Sequence, residues 1–400
     1  MIRVSNTFCL ERKEGIRMSD HMPDDLSAAG RDLRAYTDEL RPRHGVVRNV
    51  QGEWVLLRHE LVVQAALAHE LFSSAVSSHL HVPNGIDSAE HTAYREALDR
   101  FLTPAALAPF HDEFRRVAAD LVASLPRGVA VDAVSQVGVR FAVRAQSAWL
   151  GWPADLEDRL VGWVAENHAA TRSGDRSWTR QVAESFDDLI RSVLEPRRSA
   201  AREDGTDDVT ARLMRTEVSG RPLTDAEIVS VLRNWTGGDL GSIAQCIGVL
   251  VHYLATHPAV QDRLRSGVPD AEIDAIVDEI LRIDDPFVSN RRVTTCPVTI
   301  GGVELPQGAR VKLNWTSANR DEAVFGDPDV MDPEHNAGRN LVYGIGKHAC
   351  PGRWLATLEM RIAIQELLAA TSSIALDPQQ PAERAGSPVG GWASVAVVLA

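Results

Sequence analysis

The sequence is short of cysteine, of long apolar runs and of positive charge, and each shortage removes a class of protein. Its four cysteines, Cys9, Cys246, Cys296 and Cys350, are far apart, and no Cys-x-x-Cys pair occurs. Neither a disulfide framework nor a zinc site is indicated, and a reducing cytoplasm is the expected compartment. No stretch of about 18 uninterrupted apolar residues is present, so no transmembrane helix and no membrane partner are expected. The opening residues, MIRVSNTFCLERKEGIRMSD, contain no long apolar core ahead of a small-residue cleavage site. They read as a disordered leader, taken over residues 1–40, with Met18 or Met22 as an alternative natural start, and not as a secretion signal. The formal net charge of −13 argues against non-specific nucleic-acid binding. No internal repeat is visible.

What is present describes a globular chain. Apolar residues make up 44% and charged residues 24% of 400 positions, a length for which two lobes or two domains are the default. Val46–Val50 and Trp54–Leu57 flank Gly52 and suggest a hairpin. Residues 59–70 look helical, and a polar stretch runs from Ser73 to Asp87. From about 88 to 285 the apolar periodicity is mostly helical. The longest such run, Asp225–His257, opens on a capping-box pattern at Thr224 and Glu227 and closes at His257-Pro258. Gly237, Gly238 and Gly241 interrupt it. Each costs roughly 1 kcal/mol against alanine in a helix interior, so close approach of a ligand to the backbone is one reason for them. A second helix is expected over Asp270–Ile283. Short strands follow at Cys296–Ile300, Val303–Leu305 and Ala309–Leu313. Then come a Gly-rich loop over 338–352, an amphipathic helix carrying Leu355, Leu358 and Ile362, and a β-like tail over 374–400.

The chemistry is concentrated in Tyr343-Gly-Ile-Gly-Lys-His-Ala-Cys-Pro-Gly352. It sets one cysteine in a Gly-rich turn directly before a helix, where the helix N-terminus and backbone N–H groups favour a thiolate. A buried structural thiol is the alternative reading of a lone cysteine. The segment resembles the haem-ligand loop of cytochromes P450, Phe-Gly-x-Gly-x-His-x-Cys-x-Gly. Gly344, Gly346, His348, Cys350 and Gly352 match, and Tyr343 replaces the usual Phe. The resemblance implies that Cys350 ligates the iron of haem b, that His348 contacts a haem propionate, and that Gly344 and Gly352 bind the cofactor by letting the backbone lie close to it. Glu279-Ile-Leu-Arg282, 71 residues before Cys350, resembles the family's buried structural Glu-x-x-Arg pair. His91 and Arg95, one turn apart, resemble its propionate-binding helix, and Arg292 (or its neighbour Arg291) its further propionate arginine. Ala318–Asp321 and Asp332–Glu334 match the lead into the loop, but His335-Asn336 stands where the family has Arg-Phe.

The resemblance spans roughly residues 40–400. It implies a mainly α fold with a small β-rich lobe and haem between the long central helix and the Cys350 loop. Residues 41–400 would form a single domain, β-rich at about 45–60, 293–315 and 374–400, and helical at about 88–285 and 351–370. In the long helix the family carries an adjacent acid and alcohol that relay protons to bound dioxygen. Here the sequence is Thr236-Gly-Gly-Asp-Leu-Gly-Ser-Ile243. Counting back from His257-Pro258 places Ser242 on the alcohol and Gly241 on the acid; matching residue types instead places Asp239 on the acid and Leu240 on the alcohol. The first alignment is preferred because it keeps the helix length. Either way the pair is incomplete.

The implied activity is dioxygen-dependent oxidation of a small natural-product-like substrate in bacterial specialised metabolism. Oxidative C–C or C–N coupling of aromatic substrates such as tryptophan-type cyclodipeptides, and a non-catalytic haem-binding module, are the alternatives. Candidate substrate contacts are Trp235, Gly238, Val288, Ser289 and Asn290, with a core position equally open to Trp235. No flavin or iron–sulfur motif is present, so electrons are expected from a ferredoxin and its reductase. Docking is expected near Lys347, Arg353 and Arg361.

Overall fold

The capping box at Thr224 starts the helix around which the chain is arranged. Thr224 Oγ1 accepts the Glu227 backbone N–H, and Glu227 in turn accepts the Thr224 N–H. The computed structural model describes residues 32–77, 79–200, 207–386 and 389–400, together with a two-residue strand β1 (His21–Met22). The leader expected over 1–40 lies outside the described residues except for that strand and for residues from Asp32 onward. There α1 (Leu33–Leu40) is a helix capped by Asp32, which corrects the expectation for that part.

The β-rich lobe is built on one six-stranded sheet. The expected hairpin forms from β2 (Val46–Asn49) and β3 (Trp54–Leu56), followed by α2 (His59–Leu67) and β4 (Phe72–Ser73). The helical part begins at α3 (Ala89–Leu98) and continues through α4 (His111–Ser124). It is broken by β5 (Ala130–Asp132) and a wide π-type helical stretch over Ala133–Val139. The helices α5 (Arg140–Leu150), α6 (Glu157–Ser173), α7 (Arg176–Ala200), α8 (Asp225–Thr256), α9 (Pro258–Arg265) and α10 (Asp270–Ile283) follow. The strands β6 (Ser289–Thr294), β7 (Val298–Ile300), β8 (Val303–Leu305) and β9 (Arg310–Asn314) precede α11 (Arg353–Ala369). The tail gives β10 (Ile374–Leu376), β11 (Glu383–Arg384), β12 (Trp392–Ser394) and β13 (Ala396–Leu399).

Sheet order in the lobe is β1-β2-β3-β9-β6-β4, with β3 and β9 parallel. β6 begins at Ser289, earlier than the expected 293. Its polar Ser-Asn-Arg-Arg run lacks apolar alternation and is held as a strand by pairing with β9 and, at its end, β4. β5 pairs with β13 of the tail and was not anticipated, because three residues inside a helical region carry too little period to read.

The α8 helix buries residues on nearly every side, among them Ile228, Leu232, Ile243, Ile247 and Leu250, as a helix through the centre of a core must. Small residues let it approach its neighbours. A Cβ at Gly138 would lie 2.6 Å from the Ala244 carbonyl oxygen, and one at Gly248 2.6 Å from Val134 Cγ2. The reason for the glycine cluster also emerges. Gly237 and Gly241 receive Trp163 and His168 of α6, and only Gly238 looks onto open space. Two of the three therefore serve packing against α6, which corrects the expectation of a ligand at all three. Among the described residues no single helix is long and apolar enough to cross a membrane.

Candidate haem site

The Cys350 loop is folded by its own backbone. Gly344 N–H donates to Leu341 O, Cys350 N–H to Tyr343 O at 2.8 Å, and Ala349 N–H to Gly346 O. Gly344 and Gly346 adopt φ of +66° and +75°, the left-handed region that penalises a Cβ. A Cβ at Gly346 would also meet Leu67 at 2.9 Å. The hydroxyl that Tyr343 adds over the family's Phe is satisfied by Thr357 at 3.0 Å.

The Cys350 side retains free surface even though protein surrounds it, so that surface faces inward onto a cavity. Asp239 and Cys246 of α8 are half-buried in the same enclosed manner; the field of Asp239 acts on Cys350, and those of both act on Cys246. The thiol and one face of α8 thus border a common interior. Ser242 lies on that helix and donates to Gly238 O at 2.6 Å, one turn back. Gly241 offers no side chain. Burial pushes the Cys350 thiol up to about 11, against a lowering hydrogen bond from the Gly352 N–H. The backbone N–H at the helix end favours the thiolate, and burial opposes it. A coordinated cation is what removes such a proton.

Polar groups at the edge of this interior await partners. His91 is 2% exposed, and neither ring nitrogen has a hydrogen bond. Burial, reinforced by His348, pushes it down to about 4, so it is neutral near pH 7. His348 packs edge-on against it at 4.5 Å and contacts Asp87 Oδ1 at 2.8 Å. Arg292 is 6% exposed with Nε unpaired, whereas Arg291 points out of the opposite face of β6 toward Glu53. Strand alternation therefore separates the two arginines, with Arg292 on the inside. Arg95 pairs with Asp99 and donates to the Ala349 and Lys347 carbonyls, tying α3 to the loop. Unpaired nitrogens of His91 and Arg292, beside a His348 that already holds a carboxylate, fit the propionates of a haem.

Behind the loop, Glu279 and Arg282 pair in full burial. Asn336 Nδ2 donates to Glu279 Oε1 at 2.7 Å, so at the His335-Asn336 departure from the family's Arg-Phe it is the asparagine that bonds the buried carboxylate. Trp235 packs between Trp149 and Phe101 with ring centroids at 5.1 and 5.5 Å, which corrects its placement in the substrate pocket. Asn290 Oδ1 accepts from Trp315 Nε1 at 2.8 Å and is committed to the fold. Val288 and Ser289 remain half-buried, and Gly238 is open. Arg361 pairs with Asp270 and Asp274, and Lys347 donates to the Asp87 and Ser88 carbonyls. Arg353 is half-exposed and faces Asp278 at 3.3 Å, so the expected basic patch is largely neutralised.

Two further groups were missed. Glu359 is fully buried, with neither carboxylate oxygen hydrogen-bonded. Burial, with the field of Asp239, pushes its carboxyl well above the usual range. It stands four residues after Leu355, on the apolar face of α11, and that spacing was legible. His168 reaches α8 from another helix and had no sequence signal.

An inward-facing thiol on a Gly-rich loop, a long helix across from it and unpaired His and Arg nitrogens at the rim define a haem-thiolate protein. A family model described as Cytochrome P450 matches residues 173–382, more than half of the chain. The chain belongs to the cytochrome P450 family; it is a monooxygenase, with haem as its cofactor. It is 29% identical over 352 residues to the cyclomarin C epoxidase CymV of Salinispora arenicola, covering 84% of this chain and 88% of that one. It is 28% identical over 349 residues to the erythromycin C-12 hydroxylase of Saccharopolyspora erythraea, covering 84% and 87%. The structure of a mutant of P450 EryK in complex with erythromycin B superposes with a TM-score of 0.83 at 26% identity, covering 94% and 97%.

Proposed function

We propose that this enzyme inserts oxygen into a small specialised metabolite, with Cys350 as the ligand of a haem b. The observation that carries the reading is the shared interior bordered by the Cys350 thiol and the α8 face bearing Asp239. Bound there, haem supplies oxygen activation driven by external electrons. His91, Arg292 and His348 would hold its propionates through charge-assisted hydrogen bonds. Gly238 leaves room for substrate over the centre of α8. Ser242 Oγ, anchored on Gly238 O, keeps a hydroxyl in the groove that accepts and passes a proton. Val288 and Ser289 border the substrate, with Asp239 an acid one turn back in the groove. Relatives named for epoxidation of cyclomarin C and hydroxylation of erythromycin support oxygen insertion and a specialised-metabolite substrate. The electron donor is a ferredoxin with its reductase, and the location is cytoplasmic.

The empty acid position at Gly241 favours a second reading, in which hydrogen is removed from two aromatic partners that then couple without oxygen insertion. Labelled dioxygen separates the two. Label in the product is the expected result; a coupled, unlabelled product overturns oxygen insertion. The ligand assignment is tested by the reduced carbon-monoxide difference spectrum, whose thiolate-type band should vanish in Cys350→Ser. A band that survives overturns it.

A further inference from the structure

A proton that enters the groove of α8 needs a group to carry it, and position 241 supplies none. The structure brings one there from another helix. A Cβ built on Gly241 would meet Nε2 of His168 at 3.0 Å and its Cε1 at 3.7 Å. The imidazole edge of α6 thus occupies the space a side chain at 241 would use, one residue before Ser242 in the chain. The neighbouring contact is of the same kind, because Trp163, further up α6, lies 3.3 Å from a Cβ on Gly237. Trp163 is fixed by stacking on Phe186 at 3.9 Å and by donating to Val182 O. Trp163 and His168 together seat α6 on α8 at the two glycines.

His168 is half-buried, and no protein group among the described residues hydrogen-bonds its ring. Burial, then the field of Arg172, lowers its affinity for a proton. Near neutral pH the ring therefore has one N–H and one lone pair, the state that accepts at one nitrogen and releases from the other. Several other charges on the elements around it are paired. Asp187 of α7 pairs with Arg233 of α8 at 2.6 Å, and Arg140 and Arg144 of α5 pair with Glu157. Asp239 is the remaining ionisable group on this stretch of α8, and its carboxyl is enclosed and pushed up by burial.

We propose that His168 is the proton-relay residue of this enzyme, delivered by α6 to the groove beside Ser242 in place of a carboxylic acid at position 241. The ring takes a proton from solvent at Nδ1 and releases one from Nε2 toward water in the groove, which leaves the Nδ1–H tautomer; proton exchange with water or a ring flip restores the Nε2–H form before the next transfer. The electrons come from the external ferredoxin-type donor. The proposal rests on the oxygen-inserting reading above and adds the source of its protons.

The test uses the full haem-loaded chain and His168→Gln, His168→Phe and the double variant H168A/G241D. One readout is the ring-nitrogen chemical shift of His168 against pH, expected to titrate below about 6.5. The other is the pH profile and solvent deuterium effect of the dioxygen-dependent reoxidation of reduced enzyme, followed at the Soret band. Gln and Phe should both lose the histidine inflection and slow the proton-dependent phase by about a hundredfold, while H168A/G241D regains a profile with a carboxylate inflection. An inflection that persists in both Gln and Phe variants overturns the proposal, as does a variant that only loses thermal stability. The carbon-monoxide spectrum keeps the two failures apart. With its thiolate band intact, a persisting inflection overturns the relay alone; without that band, the haem-ligand reading itself has failed.

Discussion

Glu279 and Arg282 face each other one turn apart on α10, joined by two charged hydrogen bonds of 2.9 Å, with side chains 2% and 0% exposed. Both side chains also bond to the segment ahead of the Cys350 loop. Glu279 also accepts from the Asp332 N–H and from Asn336 Nδ2. Arg282 donates to the carbonyls of Asn319, Pro328 and Val330 and lies over the Phe325 ring at 4.8 Å. The pair fastens the segment that leads into the Cys350 loop onto α10. Removing one partner strands a buried charge. Arg282→Ala should lower unfolding free energy by about 3–5 kcal/mol, read as a shifted denaturant midpoint. An unchanged midpoint would show that the pair carries no structural load.

Asn336 makes a narrower prediction. Asn336→Ala removes one hydrogen bond to a buried carboxylate, worth about 1.5–3 kcal/mol. His335→Ala, whose side chain makes no recorded contact with Glu279, should cost well under 1 kcal/mol, as an uninvolved surface substitution does. Thermal unfolding of the two variants in parallel checks which residue bonds the buried carboxylate.

Helix α8 can approach the Ala133–Val139 stretch only because glycines face it from both sides. Gly138→Ala would place a methyl 2.6 Å from a backbone oxygen, which cannot rotate away. Overpacking of this kind costs about 1–3 kcal/mol. Gly238→Ala meets no atom within 4 Å and should leave folding nearly unchanged, aside from a small propensity gain. Its methyl should instead show as altered substrate-induced shifts of the Soret band.

Haem retention should separate the rim residues. His91→Ala and Arg292→Ala each remove a donor otherwise unpaired in a buried place. Loss of a charged hydrogen bond at about 1.5–3 kcal/mol corresponds to roughly a ten- to hundredfold faster transfer of haem to a scavenger protein. Arg291→Ala, on the outer face of β6, should leave the transfer rate alone.

Acid stability should trace partly to Glu227. The Arg221 hydrogen bond, with those of Tyr94 and Thr224, outweighs burial and holds its carboxyl well below the usual range. Because the folded value is depressed, this stabilisation is present above the unfolded value of about 4.3 and lost as pH falls toward the folded one. Glu227→Gln should therefore lower the melting temperature at neutral pH and flatten its fall below about pH 4.3. Equal slopes for both proteins would remove Glu227 from the acid transition.

Local chemistry alone made much of this protein legible. The Thr224–Glu227 capping box fixed where α8 starts, because an exposed helix end takes whichever side chains satisfy its N–H groups. The Cys350 loop was readable because its glycines need conformations that other residues avoid, so their spacing survives as a pattern. Glu359 was readable in principle as a charge on an apolar stripe. The three-residue β5 was not, since its pairing with β13 joins residues more than 260 apart in the chain.

The tertiary structure decided the rest. Arg292 and Arg291 are indistinguishable in sequence until β6 is paired and alternation turns one inward and the other out. Trp235 could line a pocket or fill a core until Trp149 and Phe101 closed around it. His168 carries no motif at all, and it gains a role only because α6 packs onto the two glycines of α8 that leave room for it. Backbone preference and cofactor chemistry are properties of a short segment, and the sequence states them. Which side chain fills a space left empty on a distant helix depends on packing, which no segment states alone.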